Sequence, residues 1–221
     1  MVAAAWAAEP SKPVAEPAQP KAEATKPATV PVYVEEDIFY FFVDEPEHHF
    51  NLARENFLKK DFKATAHEIR KGATFLRLEL ARATGKTENN LRASIQELDK
   101  LAVDVEKGTV TSTKQLEQGF ARAHHALAQH HYAKASDFWT KKEAKKVGQE
   151  LKAAAYNIKQ SLAWDGREVE AGTKVVLKDA KSLAGKLIEG LGWVPEEVGK
   201  GLDATGKEID KLGKMLETPK K

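Results

Sequence analysis

The chain contains no cysteine among its 221 residues. That absence removes disulfides, thiolate zinc sites, iron–sulfur clusters and covalently attached c-type haem. No stretch reaches the roughly 18 apolar residues in a row that a membrane-spanning helix requires. Net charge is also scarce, with 35 Lys and Arg against 33 Asp and Glu and a formal balance of +2. A dedicated nucleic-acid binder carries a clear basic excess, so no nucleic acid is expected among the partners. A Gly-rich phosphate loop, a Gly-x-Ser-x-Gly elbow and a His-Glu-x-x-His pair are all missing. Glu45-x-x-His48 is the single Glu-x-x-His, whereas a di-iron carboxylate site draws on two. The other carboxylates are scattered along faces expected to be solvated. These absences point to a non-enzymatic protein.

What is present is a chain of 42% hydrophobic residues, enough to bury a sizeable core. Residues 1–7 read as the end of a signal peptide, because Ala5-Trp6-Ala7 fits the small-x-small cleavage pattern. Residues 8–31 follow, with Pro10, Pro13, Pro17, Pro20, Pro27 and Pro31 spaced among Ala, Lys and Glu. Such composition forms no packed core and reads as an extended, disordered spacer. Together they predict export to a periplasmic or extracellular location. Residues 32–43, VYVEEDIFYFFV, carry the one strand-like signal and are expected to form an extended aromatic arm. An isolated strand lacks a ladder partner within the chain. Ile38, Phe39, Tyr40, Phe41 and Phe42 are therefore candidate contacts for a protein partner or for self-association.

Helical periodicity takes over after the arm. Asp44-Glu45-Pro46-Glu47 reads as a helix start, with Pro46 in the first turn and His49, Phe50, Ala53 and Phe57 facing inward. Asp61 caps a second helix with an inward stripe of Phe62, Ala66, Ile69, Ala73, Leu76 and Leu80, stopped at Gly85. The segment NFLKKDFKATAHEIRKGATFL resembles a tetratricopeptide-type hairpin over about 30 residues. That resemblance implies a helix, an Asp-aromatic turn and a small-residue helix. Thr87 opens a third helix with Leu91, Ile95, Leu98, Ala102 and Val105, ending at Gly108. Ser112 and Gln115 form a capping pair for the fourth, and Thr140 and Glu143 for a fifth carrying Val147, Leu151, Ala154, Ile158 and Leu162; either Thr140 restarts a helix after a bend or one long helix runs through it. Beyond Arg167, two Gly- and Lys-rich amphipathic segments are broken near Gly192 to Pro195. The predicted fold class is all-α: an antiparallel bundle of about five helices over 44–166, with an amphipathic C-terminal helical pair over 167–217. That pair needs a surface to lie on, either the bundle or a membrane interface.

The fourth helix holds four of the seven histidines. At about 100° per residue, His124 and His131 fall within about 20° of one another at the centre of the apolar face. His125 lies at its boundary and His130 on the polar side. His130 and His125, with His48 and His67, then form an exposed patch that changes charge in mild acid. An unpaired imidazole inside a core is costly, so the inward histidines require partners. His49, His124 and His131 are the candidate metal ligands, and imidazoles suit Zn, Cu or Ni. Against a shared ion, His124 and His131 are about 10.5 Å apart along the axis. Three roles are thus in view: a binding or scaffold protein of the cell envelope, a histidine-based metal binder, and a protein that contacts a membrane surface through its C-terminal helices.

Overall fold

The structure is a computed structural model that describes residues 36–218. Seven helices make up these residues: α1 (Glu36–Leu58), α2 (Phe62–Leu80), α3 (Gly85–Glu106), α4 (Thr113–Thr140), α5 (Ala144–Trp164), α6 (Ala171–Glu189) and α7 (Pro195–Glu217). No strand occurs among the described residues. Short turns make each helix pack on the next, and α4 additionally meets α1, α2 and α7. Asp61 caps α2 as expected, its Oδ1 accepting the Ala64 N–H at 2.9 Å. Gly190 ends α6 in the left-handed conformation that glycine adopts without strain.

Two apolar cores result, and α4 belongs to both. Leu116, Phe120 and Leu127 of α4 join Phe50, Ile69, Leu76, Leu91 and Leu98 in the first. Phe50 stacks on Phe120 at 4.3 Å between ring centroids, and Trp164 meets Phe120 edge-on at 5.0 Å. Ala128 and Ala135 of α4 join Val147, Leu151, Ile158, Leu187 and Leu212 in the second. Each large side chain withdrawn from water contributes roughly 1.5–3 kcal/mol.

The register between α4 and its neighbours repeats every seven residues. Arg122 bonds Glu97 of α3 at 2.8 Å, and seven residues on Gln129 accepts from Asn90 at 2.7 Å. On α7 a Cβ at Gly213 would stand 3.0 Å from the His125 ring, and one at Gly206 would stand 2.6 Å from the Tyr132 hydroxyl. His125 and Tyr132 are again seven apart. Both ladders run antiparallel, and a seven-residue repeat is the period at which straight helices wind gently round one another.

Several expectations are corrected. The extended arm expected over 32–43 is not formed over 36–43, which are the first turns of α1; 32–35 lie outside the described residues. A helix satisfies its backbone donors and acceptors within itself, whereas a lone strand here would leave them unpaired. The side chains of Ile38 to Phe42 lie outside the described residues, as do the expected signal-peptide end and spacer. Pro46 does not start a helix but sits inside α1. The third helix is entered at Thr84 rather than Thr87. Thr140 closes α4 instead of opening α5, its hydroxyl donating to the Asp137 carbonyl at 2.7 Å. The chain reverses at Lys142, which takes a positive φ of 61°.

The close approach of α7 to α4 makes a contrast between two glycines. Gly206→Ala drives a methyl into Tyr132 and is expected to cost about 1–3 kcal/mol in urea denaturation. Gly199→Ala meets open space and should be neutral or stabilising by up to about 1 kcal/mol through helix propensity.

Candidate functional site

The candidate site is the histidine face of α4, and it begins with that helix's start. The Gln115 side-chain oxygen returns to the N–H groups of Thr111 at 2.9 Å and Ser112 at 3.4 Å, which fixes the first turn. From there the periodicity aims the four histidines at four different helices.

His124 is fully buried. Its Nε2 lies 2.9 Å from Glu47 Oε2 of α1, and its Nδ1 lies 2.8 Å from Asn157 Oδ1 of α5. Asn157 donates its own N–H to the Ala153 carbonyl at 3.0 Å, which fixes the amide with its oxygen toward the histidine. Both ring nitrogens therefore face acceptors. Trp164 Nε1 donates to the same Glu47 oxygen at 2.6 Å. Burial alone would raise the Glu47 carboxyl. The hydrogen bond and charge of His124, with bonds from Trp164 and Asn51, outweigh that and hold it below the usual value.

One turn and a half along, His130 and His131 meet a second carboxylate pair. His130 Nε2 donates to Glu79 Oε2 of α2 at 3.0 Å, and His131 Nδ1 to Glu150 Oε2 of α5 at 2.7 Å. Lys134 sits between the carboxylates, 2.5 Å from Glu150 and 3.8 Å from Glu79, and Arg82 also pairs with Glu79. Burial opposes ionisation of Glu79. The hydrogen bond from His130 and the charges of His131, Lys134 and Arg82 overcome it and press its pKa far down. Glu150 is lowered in the same way, against its burial, by His131 and Lys134. His130 is itself lowered, first by burial and against the hydrogen bond to Glu79. A neutral imidazole donating from Nε2 fits that environment.

The remaining two partnered histidines lie at the edges of the set. His125 is half-buried and its Nε2 donates to the Ile209 carbonyl of α7 at 3.1 Å, with burial lowering its pKa. His49 of α1 donates to Glu68 of α2 at 2.6 Å and stacks on Phe75. The expected positions of His124 and His131 agree with the structure. His130 does not lie on the polar side: the C-terminal end of α2 covers it, so it joins no exposed patch with His48 and His67.

Chemically, the arrangement holds helices together. His49, His124 and His131 are not brought to one point, since each is bonded to a different carboxylate. Among the described residues no three His, Cys, Asp or Glu side chains gather as a metal-ligand set. Glu47, Glu79, Glu150 and Asn157 were not among the expected site residues. Their signal was nevertheless present in α5, where Val147, Glu150, Ala154, Asn157, Ser161 and Trp164 alternate at three and four and are all buried. Polar residues at inward spacing mark partners for inward histidines.

Beside the histidine face, α4 also floors an open groove. Its walls are α3 and α7, whose backbones do not approach each other closely. The larger section has a volume of ≈ 760 Å³ and includes Asn90, Ser94, Arg122, His125, Asp210 and Lys214. Ser94 Oγ is buried there and has no hydrogen-bond partner. No family model matches the chain, and neither a curated protein nor a solved structure matches it.

Two outcomes follow from the pairing. Glu47→Ala leaves the His124 and Trp164 donors buried without an acceptor and is expected to cost about 3 kcal/mol of stability in denaturant unfolding. The second concerns pH. His125 and His130 are held neutral in the fold, with pKa values below the unfolded value of 6.5. Protons thus bind the unfolded chain more readily, and stability should fall as pH drops below about 6.5. The depressed carboxylates Glu47, Glu68, Glu79 and Glu150 add a second loss as pH falls below their ordinary 4.5. Urea midpoints measured from about pH 8 to about pH 2 check both phases, and His130→Gln should flatten the first.

Proposed function

We propose that this chain is an exported, non-enzymatic binding or scaffold protein of the cell envelope, built as an antiparallel helical bundle. The observation that carries this reading is the use made of the histidines of α4. Imidazole is the side chain best suited to acid–base work near neutral pH. Here the four imidazoles of that helix are hydrogen-bonded to α1, α2, α5 and α7 and act as clamps between helices. What such a scaffold offers to the outside is its helix faces. The spacer composition of residues 8–31 supports a domain held away from its point of origin, and Ala5-Trp6-Ala7 supports export.

The C-terminal helices favour the scaffold over contact with a membrane surface. Their apolar stripes are already covered: Leu177, Ala180, Ala184 and Leu187 of α6 and Val198, Leu202, Ile209 and Leu212 of α7 are buried in the second core. An interfacial helix keeps that stripe for lipid.

The test is cell fractionation followed by zero-length carbodiimide crosslinking of the native-source protein. The expected result is protein released by osmotic shock, with Ala8 as its first residue, and crosslinked to a defined polypeptide. Intact chain beginning at Met1 in the cytoplasmic fraction, or a chain that forms no crosslink, contradicts the reading.

A further inference from the structure

We infer that the outer face of α7 is a self-complementary docking surface for the α7 of a second copy of this chain, packed antiparallel. The inference deepens the scaffold reading above and rests on it, naming the partner. Between Lys200 and Glu217, the exposed residues of the helix are Lys200, Asp203, Lys207, Asp210, Lys214 and Glu217. Their spacings run three, four, three, four, three, and their signs alternate without exception. The stripe covers about 25 Å of helix at 1.5 Å per residue. A mean spacing of 3.5 is the period of a left-handed pair of helices.

Alternation makes this stripe its own complement in one orientation. Turning the second helix end for end about a two-fold axis places Lys200 against its Glu217, Asp203 against its Lys214, and Lys207 against its Asp210. Symmetry repeats all three contacts, as an isologous interface demands. In the parallel, in-register arrangement every charge meets its like, which repels. Helix stabilisation accounts for part of the pattern, since Asp203 and Lys207 already bond within α7 at 2.7 Å. It does not require the intervening spacings of three to continue the alternation, and they do.

The surroundings leave room for the second helix. Asp203, Lys207 and Asp210 line one section of the groove between α3 and α7, of ≈ 270 Å³, and Asp210, Lys214 and Glu217 line the ≈ 760 Å³ section. The backbones of α3 and α7 stay apart, and among the described residues no other helix lies between them on that side of α7. Exposed ion pairs contribute little each, so the dimer is weak and sensitive to salt.

Sedimentation equilibrium of the full chain tests this, at chain concentrations up to about 1 mM, where weak pairs are populated. The wild type should form a dimer whose dissociation constant rises at least about tenfold between roughly 20 mM and 500 mM NaCl, as screening shortens the reach of charge. Lys207→Glu and Asp210→Lys each place like charges at both central contacts and should be monomeric alone. Mixed in equal amounts, the two variants restore opposite charges at both contacts and should recover a one-to-one dimer. Both positions are exposed, and circular dichroism confirms that each variant folds. A monomeric wild type, variants that associate as well as wild type, or a mixture that stays monomeric each overturns the inference. An envelope chain crosslinked only to a different polypeptide would overturn it while leaving the scaffold reading in place.

Discussion

A buried imidazole with a hydrogen-bond partner at each nitrogen fixes two neighbours at once, and His124 sets the arrangement of α1, α4 and α5 in this way. Its partners, Glu47 and Asn157, come from α1 and α5, which also meet each other where Trp164 donates to Glu47. Seven residues later His131 meets Glu150, and Glu150 is itself seven residues before Asn157. A single antiparallel register of α4 on α5 therefore satisfies both contacts. The same step recurs toward α1, where Glu117 and His124 of α4 meet Arg54 and Glu47. Toward α3 it is Arg122 and Gln129, and toward α7 His125 and Tyr132.

Polar contacts of this kind are poor sources of raw stability, because desolvating two charged groups offsets much of their attraction. Their effect is on choice of register. Sliding α5 by one turn would part His124 from Asn157 and His131 from Glu150, and each buried polar group left unsatisfied costs roughly 1–3 kcal/mol. The apolar cores are rich in Ala and Leu, which tolerate more than one helix register. The polar ladder removes the alternatives, as fully satisfied buried networks do. Lys134 and Arg82 complete that satisfaction around Glu79 and Glu150.

Much of this was legible in the residues, and its limits have physical causes. Stripes at 3.6 spacing located the helices, Asp61 announced the α1–α2 turn, and the angle between His124 and His131 placed both inside. The aromatic run before Val43 misled because β-propensity describes fit to a sheet, and here α1 continues through it with Pro46 in its interior. His130 misled because a helical wheel knows one face of one helix. Whether the C-terminal end of α2 covers that face depends on how far α2 extends past it. The carboxylate partners lay up to 77 residues away in sequence, as Glu47 does from His124. Spacing within a helix gives inward direction but not the identity of what lies opposite.

The central claim is that the histidines of α4 are hydrogen-bonded clamps, and nitrogen-15 NMR of the imidazole rings tests it most directly. At neutral pH the account predicts that any proton on the His124 ring is slow to exchange with water, because both nitrogens face buried partners. His130 should carry one, on Nε2, also protected. Ring protons on either residue that exchange freely with solvent, or a His130 ring protonated on Nδ1 instead of Nε2, would contradict the account.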